Sequence, residues 1–364
     1  MTSDFKPRKI RVLVVDDSAY NRRVITKILE RSPFIEVVGS ANDGEGGLRR
    51  AIEMKPDLVT LDLEMPRMDG FSFLRILMAR QPLPILVVSS RNEGANVFRA
   101  LELGAVDFVA KPTRGISSEL ELIAEELLSK VLSIRQLRLE NAQNQFDYSA
   151  HGRTRPEPAS PKPATAEPVP RMASGVVAIG SSTGGPGALT SIFSSLPVQL
   201  PIAYLVAQHM PPGFTRPFAE RLDRFTELSV REAAAGELVR PGQVLIAPGG
   251  MNMTVERRGA DVVTVLTKRG ASDRYVPSVD ALFRSAARVF GPACLGVILT
   301  GMGDDGTEGV LEVKRRKGIT IAESEESSVI FGMPKKAISS GAVDHVVPLG
   351  KISGAIMTLF SKGN

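Results

Sequence analysis

The chain is poor in the residues that would commit it to several common architectures. Its 364 residues contain a single cysteine, Cys294, and no tryptophan. One cysteine cannot build a disulfide framework within the chain, and that usage fits a reducing cytoplasm. No run of about 18 apolar residues occurs, so no transmembrane helix is expected. The opening "MTSDFKPRKIRVLVVDD" passes from basic residues into an apolar run too short for a signal peptide, closed by two aspartates. The formal net charge of +5 is modest for this length and spread along the chain, which is no nucleic-acid footprint. Only three histidines are present, which narrows any search for an imidazole base. What remains is ordinary for a soluble globular protein: 43% hydrophobic and 23% charged residues. At about 100–200 residues per domain the length suggests two.

Residues 10–130 alternate apolar strand-like runs with helical patterns. "IRVLVVDD", "EVVGSANDG", "PDLVTLDLEMP", "LPILVVSS" and "AVDFVAKP" read as strands. Helical segments lie between them, including Tyr20–Glu30, Gly70–Arg80 and Asn96–Leu103, and this alternation predicts βαβ units and a five-stranded parallel sheet. A further helix is predicted over Ser118–Leu139. From about Gln143 to Ser174 the composition shifts to Pro, Ala, Ser and charge. That stretch cannot bury enough apolar surface to offset chain entropy, and it reads as a linker. From Gly175 the alternation resumes, with strands at "VVAIG", "PIAYLVAQH", "QVLIAPGG", "VVTVLT", "LGVILTG", "GITIAE" and "VDHVVP". The expected organisation is an α/β domain over 9–130, a helical extension and Pro/Ala-rich linker over 131–173, and a second, doubly wound and mostly parallel α/β domain over 174–364.

In the first half, Asp16 and Asp17 close the first strand, Asp62 the third, Ser89 the fourth, and Lys111 with Pro112 the fifth. Strand ends of a parallel sheet meet on one edge, where ligands bind. Three converging carboxylates repel one another unless a cation sits between them, and an all-oxygen set suits Mg²⁺. With Ser89 and Lys111 the group can stabilise a phosphoryl carried on one carboxylate. The stretches "VLVVDDS", "LDLEMPRMDG", "VVSS" and "DFVAKP" closely resemble response-regulator receiver domains, which are flavodoxin-like. The resemblance implies that Asp62 accepts the phosphoryl group. It implies that Asp17 and Asp62 bind Mg²⁺ with the Glu64 carbonyl, and that Asp16 helps through water. It also makes Ser89 the switch hydroxyl, Phe108 the aromatic that follows it, and Lys111 the phosphate partner.

In the second half, "VVAIGSSTGGPGAL" joins a strand to a helix through a glycine-rich turn. It lacks the second glycine of a dinucleotide fingerprint, where Ser182 stands, and the lysine of a phosphate-binding P-loop. It does spell G-x-S-x-G over Gly180–Gly184, the pattern of a nucleophile elbow. A serine nucleophile needs a base and an acid that orients it. His151 lies in the linker and His345 in a late strand. His209 ends "PIAYLVAQH" on the same sheet edge as the glycine turn, and "LGVILTGMGDDG" delivers Asp304 and Asp305 to that edge. These residues leave open which serine and which aspartate act.

"IGSSTGGPGAL", "QHMPPGFTRPFAERL", "IAPGGMNM", "PSVDALFRSAA", "GVILTGMGDDGTEGV" and "FGMPKKAI" closely resemble the catalytic domain of chemotaxis protein-glutamate methylesterases, the CheB family. The resemblance implies Ser182 as nucleophile, His209 as base, Asp305 as acid and the Met302 backbone N–H as oxyanion donor. Ser181 stands where the family more commonly has alanine. The implied activity is hydrolysis of glutamate γ-methyl esters, and deamidation of glutamines, on methyl-accepting chemoreceptors. No cofactor is expected for the esterase. The expected phosphodonor is a chemotaxis histidine kinase. The protein is expected to be a cytoplasmic monomer that reaches receptor arrays through the receptors, without membrane insertion. A receiver fused to a hydrolase predicts regulated access, with the unphosphorylated receiver covering the Ser182 edge.

Of three other readings, two are weaker. A DNA-binding output needs a clustered basic face, and the best candidate, Lys314–Gly318, reads as a solvated helix end. A nucleotide-binding oxidoreductase is weakened by Ser182. The same esterase in a chemosensory pathway unrelated to motility is not separable by sequence.

Overall fold

The computed structural model of the chain describes residues 8–90, 94–111, 117–137, 139–141 and 173–361. It divides into two compact units, Met1–Ala142 and Gln143–Asn364. Most of the expected linker, with His151, and Pro112 lie outside the described residues.

In the first unit, strands and helices alternate as β1 (Ile10–Val15), α1 (Ala19–Leu29), β2 (Ile35–Ala41), α2 (Gly44–Met54) and β3 (Leu58–Leu61). They continue as α3 (Gly70–Arg80), β4 (Ile85–Ser89), α4 (Gly94–Glu102), β5 (Asp107–Ala110) and α5 (Ser117–Ser133). Every residue of β3, β4 and β5 is buried, as expected for parallel strands covered on both faces. The sheet order is β2-β1-β3-β4-β5, all parallel. The chain runs from β1 to one side and then returns to the other, so the order reverses between β1 and β3. Three helices begin on short polar caps: Ser18 accepts the Asn21 N–H, Asp43 that of Gly46 and Asp69 that of Ser72. Val12, Val14, Ile25, Leu29, Val109 and Leu127 share one core. The helix expected to reach Leu139 stops at Ser133 and tightens into a 3-10 turn over Ile134–Gln136. Ser133 turns its hydroxyl back onto the Lys130 carbonyl at 2.7 Å, competing with the backbone for an acceptor of the last turn.

The second unit opens with β6 (Gly175–Ser181), α6 (Gly185–Phe193), β7 (Ile202–Gln208), α7 (Thr215–Leu222), β8 (Ser229–Glu232) and β9 (Gln243–Ile246). An antiparallel hairpin follows, β10 (Met251–Arg258) and β11 (Asp261–Lys268). The unit then runs α8 (Val279–Phe290), β12 (Cys294–Ile298), α9 (Thr307–Arg315), β13 (Ile319–Glu323), α10 (Met333–Ser339), β14 (His345–Val347) and α11 (Leu349–Ser361). Seven strands form a parallel sheet in the order β14-β13-β12-β6-β7-β9-β8. β6 and β7 at its centre are buried throughout. Here the order reverses between β6 and β12.

The short edge strand β8 and the strand β10 were not anticipated. β10 alternates apolar and polar residues over Met251–Glu256, but the pattern is short and runs into the exposed Glu256–Arg258. Tertiary packing fixes it: Met253 and Val255 join the core of Leu282, Phe283 and Ala286 from α8. α8 buries Val279, Leu282, Phe283, Ala286 and Ala287, one stripe at helical spacing. No helix among the described residues is long and apolar enough to cross a membrane.

Candidate active site

The glycine turn sits where β6 meets α6. Gly184, with φ of 80°, takes the left-handed conformation that lets the chain turn sharply into the helix. The Ser182 backbone is held on both sides: its N–H donates to Thr300 O at 3.0 Å, and its carbonyl accepts from Gly185 N at 2.8 Å. Thr300 is fixed in turn by the fully buried Glu323, whose carboxylate accepts the Thr300 N–H at 2.8 Å. Burial pushes Glu323 up to about 7. The two serines differ in access. Ser181 is sealed in the sheet and donates to Gln208 Oε1 at 2.6 Å, while Ser182 is 9% exposed. Gly301 lies against Ser182; a Cβ there would come 2.7 Å from Ser182 Cβ. Met302, half-buried, follows at this close approach.

His209 leaves the neighbouring strand end. Its N–H donates to Ser181 O at 3.0 Å. Gln208 Nε2 donates to both the Ser182 carbonyl (2.9 Å) and the His209 carbonyl (3.1 Å), tying the two strand ends together. His209 Nε2 lies 2.8 Å from Asp305 Oδ2. Asp305, 3% exposed, also accepts from Ser278 Oγ (3.2 Å), Val279 N (2.7 Å) and Asp280 N (3.0 Å). Ser278 is the N-cap of α8, so the positive end of that helix faces the carboxylate. Burial alone pushes Asp305 up. The His209 contact and the two helix N–H groups outweigh it and hold the carboxyl below its usual range. Asp280 is pushed the other way, to about 6, by burial and by the charge of Asp305. Asp304 turns outward to Arg274 and Tyr275. The Ser182 turn follows β6 and the Asp305 loop follows β12, so both flank the reversal in strand order, the usual place for a ligand in such sheets.

In the first unit Asp16, Asp17 and Asp62 bring one oxygen each to within 4.8 Å of one another. Asp16 and Asp62 are buried and Asp17 is exposed. Lys111 Nζ sits 2.7 Å from Asp62 Oδ1, which also accepts the Glu64 N–H at 3.2 Å. Asp62 Oδ2 is buried with no hydrogen-bond partner among the described residues. Burial pushes Asp62 up to about 6, with Lys111 pulling it down and Asp16 adding to the rise. An orphaned carboxylate oxygen beside two further carboxylates fits an oxygen-seeking divalent cation such as Mg²⁺. Ser89 is fully buried at the end of β4, and its carbonyl accepts the Lys111 N–H at 2.7 Å. Phe108, 2% exposed, meets Phe98 edge-on at 6.2 Å, and its carbonyl accepts from Lys130 Nζ at 2.6 Å.

Of the other residues weighed in the sequence, His345 is exposed on the edge strand β14. The basic run is matched by acids: Lys314 pairs with Asp344, while Arg315 and Arg316 both pair with Glu312. Two acids thus offset part of the run, which weakens a DNA-binding reading. Sequence reasoning missed Gln208, Tyr275 and the α8 N-terminus. Ser278 ahead of an amphipathic run signals a helix start, but nothing in the sequence says that the helix aims at Asp305.

Comparison with known proteins finds a family for each unit. The family description "CheB methylesterase" matches residues 177–356, and "Response regulator receiver domain" matches residues 12–122. The chain is 55% identical to "Protein-glutamate methylesterase/protein-glutamine glutaminase 3" of Geobacter sulfurreducens, over 96% of this chain and 97% of that one. It is 47% identical to "Protein-glutamate methylesterase/protein-glutamine glutaminase 1" of Myxococcus xanthus, over 96% of this chain and 97% of its relative. Among solved structures, the Thermotoga maritima CheB methylesterase catalytic domain matches at 44% identity and a TM-score of 0.50, covering 51% of this chain and 98% of that one.

Proposed function

The chain belongs to the protein-glutamate methylesterase/protein-glutamine glutaminase family, and from that premise we propose a phosphorylation-activated serine hydrolase. It removes methyl groups from glutamate γ-esters of methyl-accepting chemoreceptors and deamidates glutamines there, giving adaptation in chemotaxis. The observation that carries the reading is the 2.8 Å pair of His209 and Asp305 on the sheet edge that also presents Ser182.

Ser182 Oγ attacks the ester carbonyl, and its proton passes to His209. Because Nε2 is turned to Asp305, Nδ1 is the ring nitrogen that takes it. Asp305 stays ionised and stabilises the imidazolium through Nε2–H, with its own charge held by the α8 N–H groups. The Met302 N–H receives the oxyanion; donors of this kind contribute about 2.7–4 kcal/mol. His209 then returns the proton to the departing methoxide oxygen, and methanol leaves. In the second half His209 takes a proton from water, hydroxide attacks the glutamyl ester, and the proton goes to Ser182 Oγ as glutamate is released. With glutamine, ammonia leaves in the first half.

In the receiver, Asp62 takes a phosphoryl group from a phosphohistidine of the chemotaxis histidine kinase, which is left as free histidine, and Lys111 pairs with the new charge. Asp62, Asp17 and the Glu64 carbonyl would hold Mg²⁺, with Asp16 assisting through water. The ion supplies charge neutralisation for the incoming phosphoryl oxygens. Ser89 and Phe108 carry the change onward, and the esterase rate rises. The test is methanol release from methylated receptor membranes by wild type and Ser182→Ala. Release in the first and none in the second is expected; equal release from both would remove Ser182 from the reaction.

A further inference from the structure

We propose that Tyr275 is a positioning residue for His209, holding the imidazole in plane and favouring the cation it becomes. The proposal rests on the reading of Ser182, His209 and Asp305 given above. Asp305 fixes His209 at one atom, Nε2, and a single hydrogen bond leaves the ring free to swing about that contact. The half-buried ring of Tyr275 lies parallel to the imidazole, with centroids 4.9 Å apart and planes within 3°. A parallel face blocks that swing.

The tyrosine is itself held in place. Its hydroxyl donates to Asp304 Oδ1 at 3.1 Å, Asp304 pairs with Arg274 at 3.1 Å, and the Arg274 guanidinium lies 5.0 Å from the same ring's centroid. Asn252 of β10 clamps the segment on either side of Tyr275: it donates to Asp273 at 2.9 Å and accepts the Ser278 N–H at 2.9 Å. Among the described residues, the charged groups tied to this assembly are Asp305 at Nε2, Asp280 next to Asp305, and the Asp304–Arg274 pair beyond the tyrosine. That pair is internally neutral, so the contribution of Tyr275 is the electron-rich face of its ring. Such a face attracts a cation more than a neutral ring. The stack therefore strengthens when His209 takes the serine proton, and an interaction stronger at that point than in the resting enzyme raises kcat.

The experiment compares full-length Tyr275→Phe, Tyr275→Leu and Tyr275→Ala in methanol release from methylated receptor membranes, with Ser182→Ala alongside. Thermal melting checks the fold, and labelling of Ser182 by a fluorophosphonate gives the amount of competent enzyme and a rate that does not involve receptor. The expected result is kcat down about five- to tenfold in the Leu and Ala variants, KM within about twofold, and kcat in the Phe variant within about twofold of wild type. Labelling rates should fall in the same order. If Leu restores kcat as well as Phe does, a flat ring is not needed and the proposal is wrong. An unchanged kcat in Tyr275→Ala, or a loss confined to KM, overturns it as well. Release that persists in Ser182→Ala would overturn the reading beneath it and this proposal together.

Discussion

Asp62 and Asp305 are the same residue type, buried at 0% and 3% exposure, each beside the point where its sheet reverses strand order. Burial pushes both carboxyls up, yet they end on opposite sides of the ordinary value. Asp305 meets one histidine, one serine hydroxyl and two helix N–H groups, and stays below it. Asp62 meets one lysine and one backbone N–H, faces Asp16, keeps one oxygen unpartnered, and rises to about 6. A permanently satisfied carboxylate suits a partner that must stay charged through a reaction cycle. An incompletely satisfied one suits a group that awaits a cation and a phosphoryl. Burial sets the penalty in both units, and the partners decide the role.

The largest way to break this comparison is Asp305→Asn. The amide keeps the shape but removes the charge that stabilises imidazolium, so kcat should fall by about four orders of magnitude in the methanol-release assay. A loss under tenfold would mean that the helix N–H groups, not the carboxylate, organise His209.

A second test uses stability against pH, where the two acids should act with opposite sign. Asp62 has a folded value above its ordinary 3.8, so the native state holds a proton that the unfolded chain has lost between pH 3.8 and about 6. Native stability therefore falls as pH rises through that window. Without divalent cations, Asp62→Asn should be more stable than wild type at neutral pH by on the order of 1–2 kcal/mol, allowing for the partner lost by Lys111. The gap should close as pH drops toward 3.8, and Mg²⁺ should raise the melting temperature of wild type only. Asp305 has a folded value below 3.8, so its stabilisation is complete above that pH and is lost as pH falls through the folded value. Asp305→Asn should accordingly be less stable at neutral pH by about 1–3 kcal/mol, with the gap shrinking only in strong acid. Denaturant unfolding of both variants across pH checks the signs; two gaps of one sign would collapse the distinction.

How much of this was legible in the sequence follows from the same physics. The near-continuous apolar runs before Asp16, Asp62, Ser182, His209 and Asp305 marked buried parallel strands, and the polar residue ending each run marked the functional edge. Strand order is a tertiary property, so the sequence alone could not say that β6 lies beside β12 and brings the loop after β12, at Gly301, against Ser182. Nor could it separate Ser181 from Ser182 without the resemblance; in the structure Gln208 engages the Ser181 hydroxyl, while Ser182 keeps 9% exposure. The strand β10 and Tyr275 went unread for a related reason. Their roles come from contacts with α8 and His209, distant in sequence.

The account stands or falls on whether the two units act as one enzyme. The direct measurement is methanol release from methylated receptor membranes, with and without a small-molecule phosphodonor and Mg²⁺, by wild type and Asp62→Asn. The account predicts that phosphodonor raises the wild-type rate by about tenfold or more, while Asp62→Asn stays at the wild-type basal rate. An equal rise in Asp62→Asn, or no rise in wild type, would contradict it.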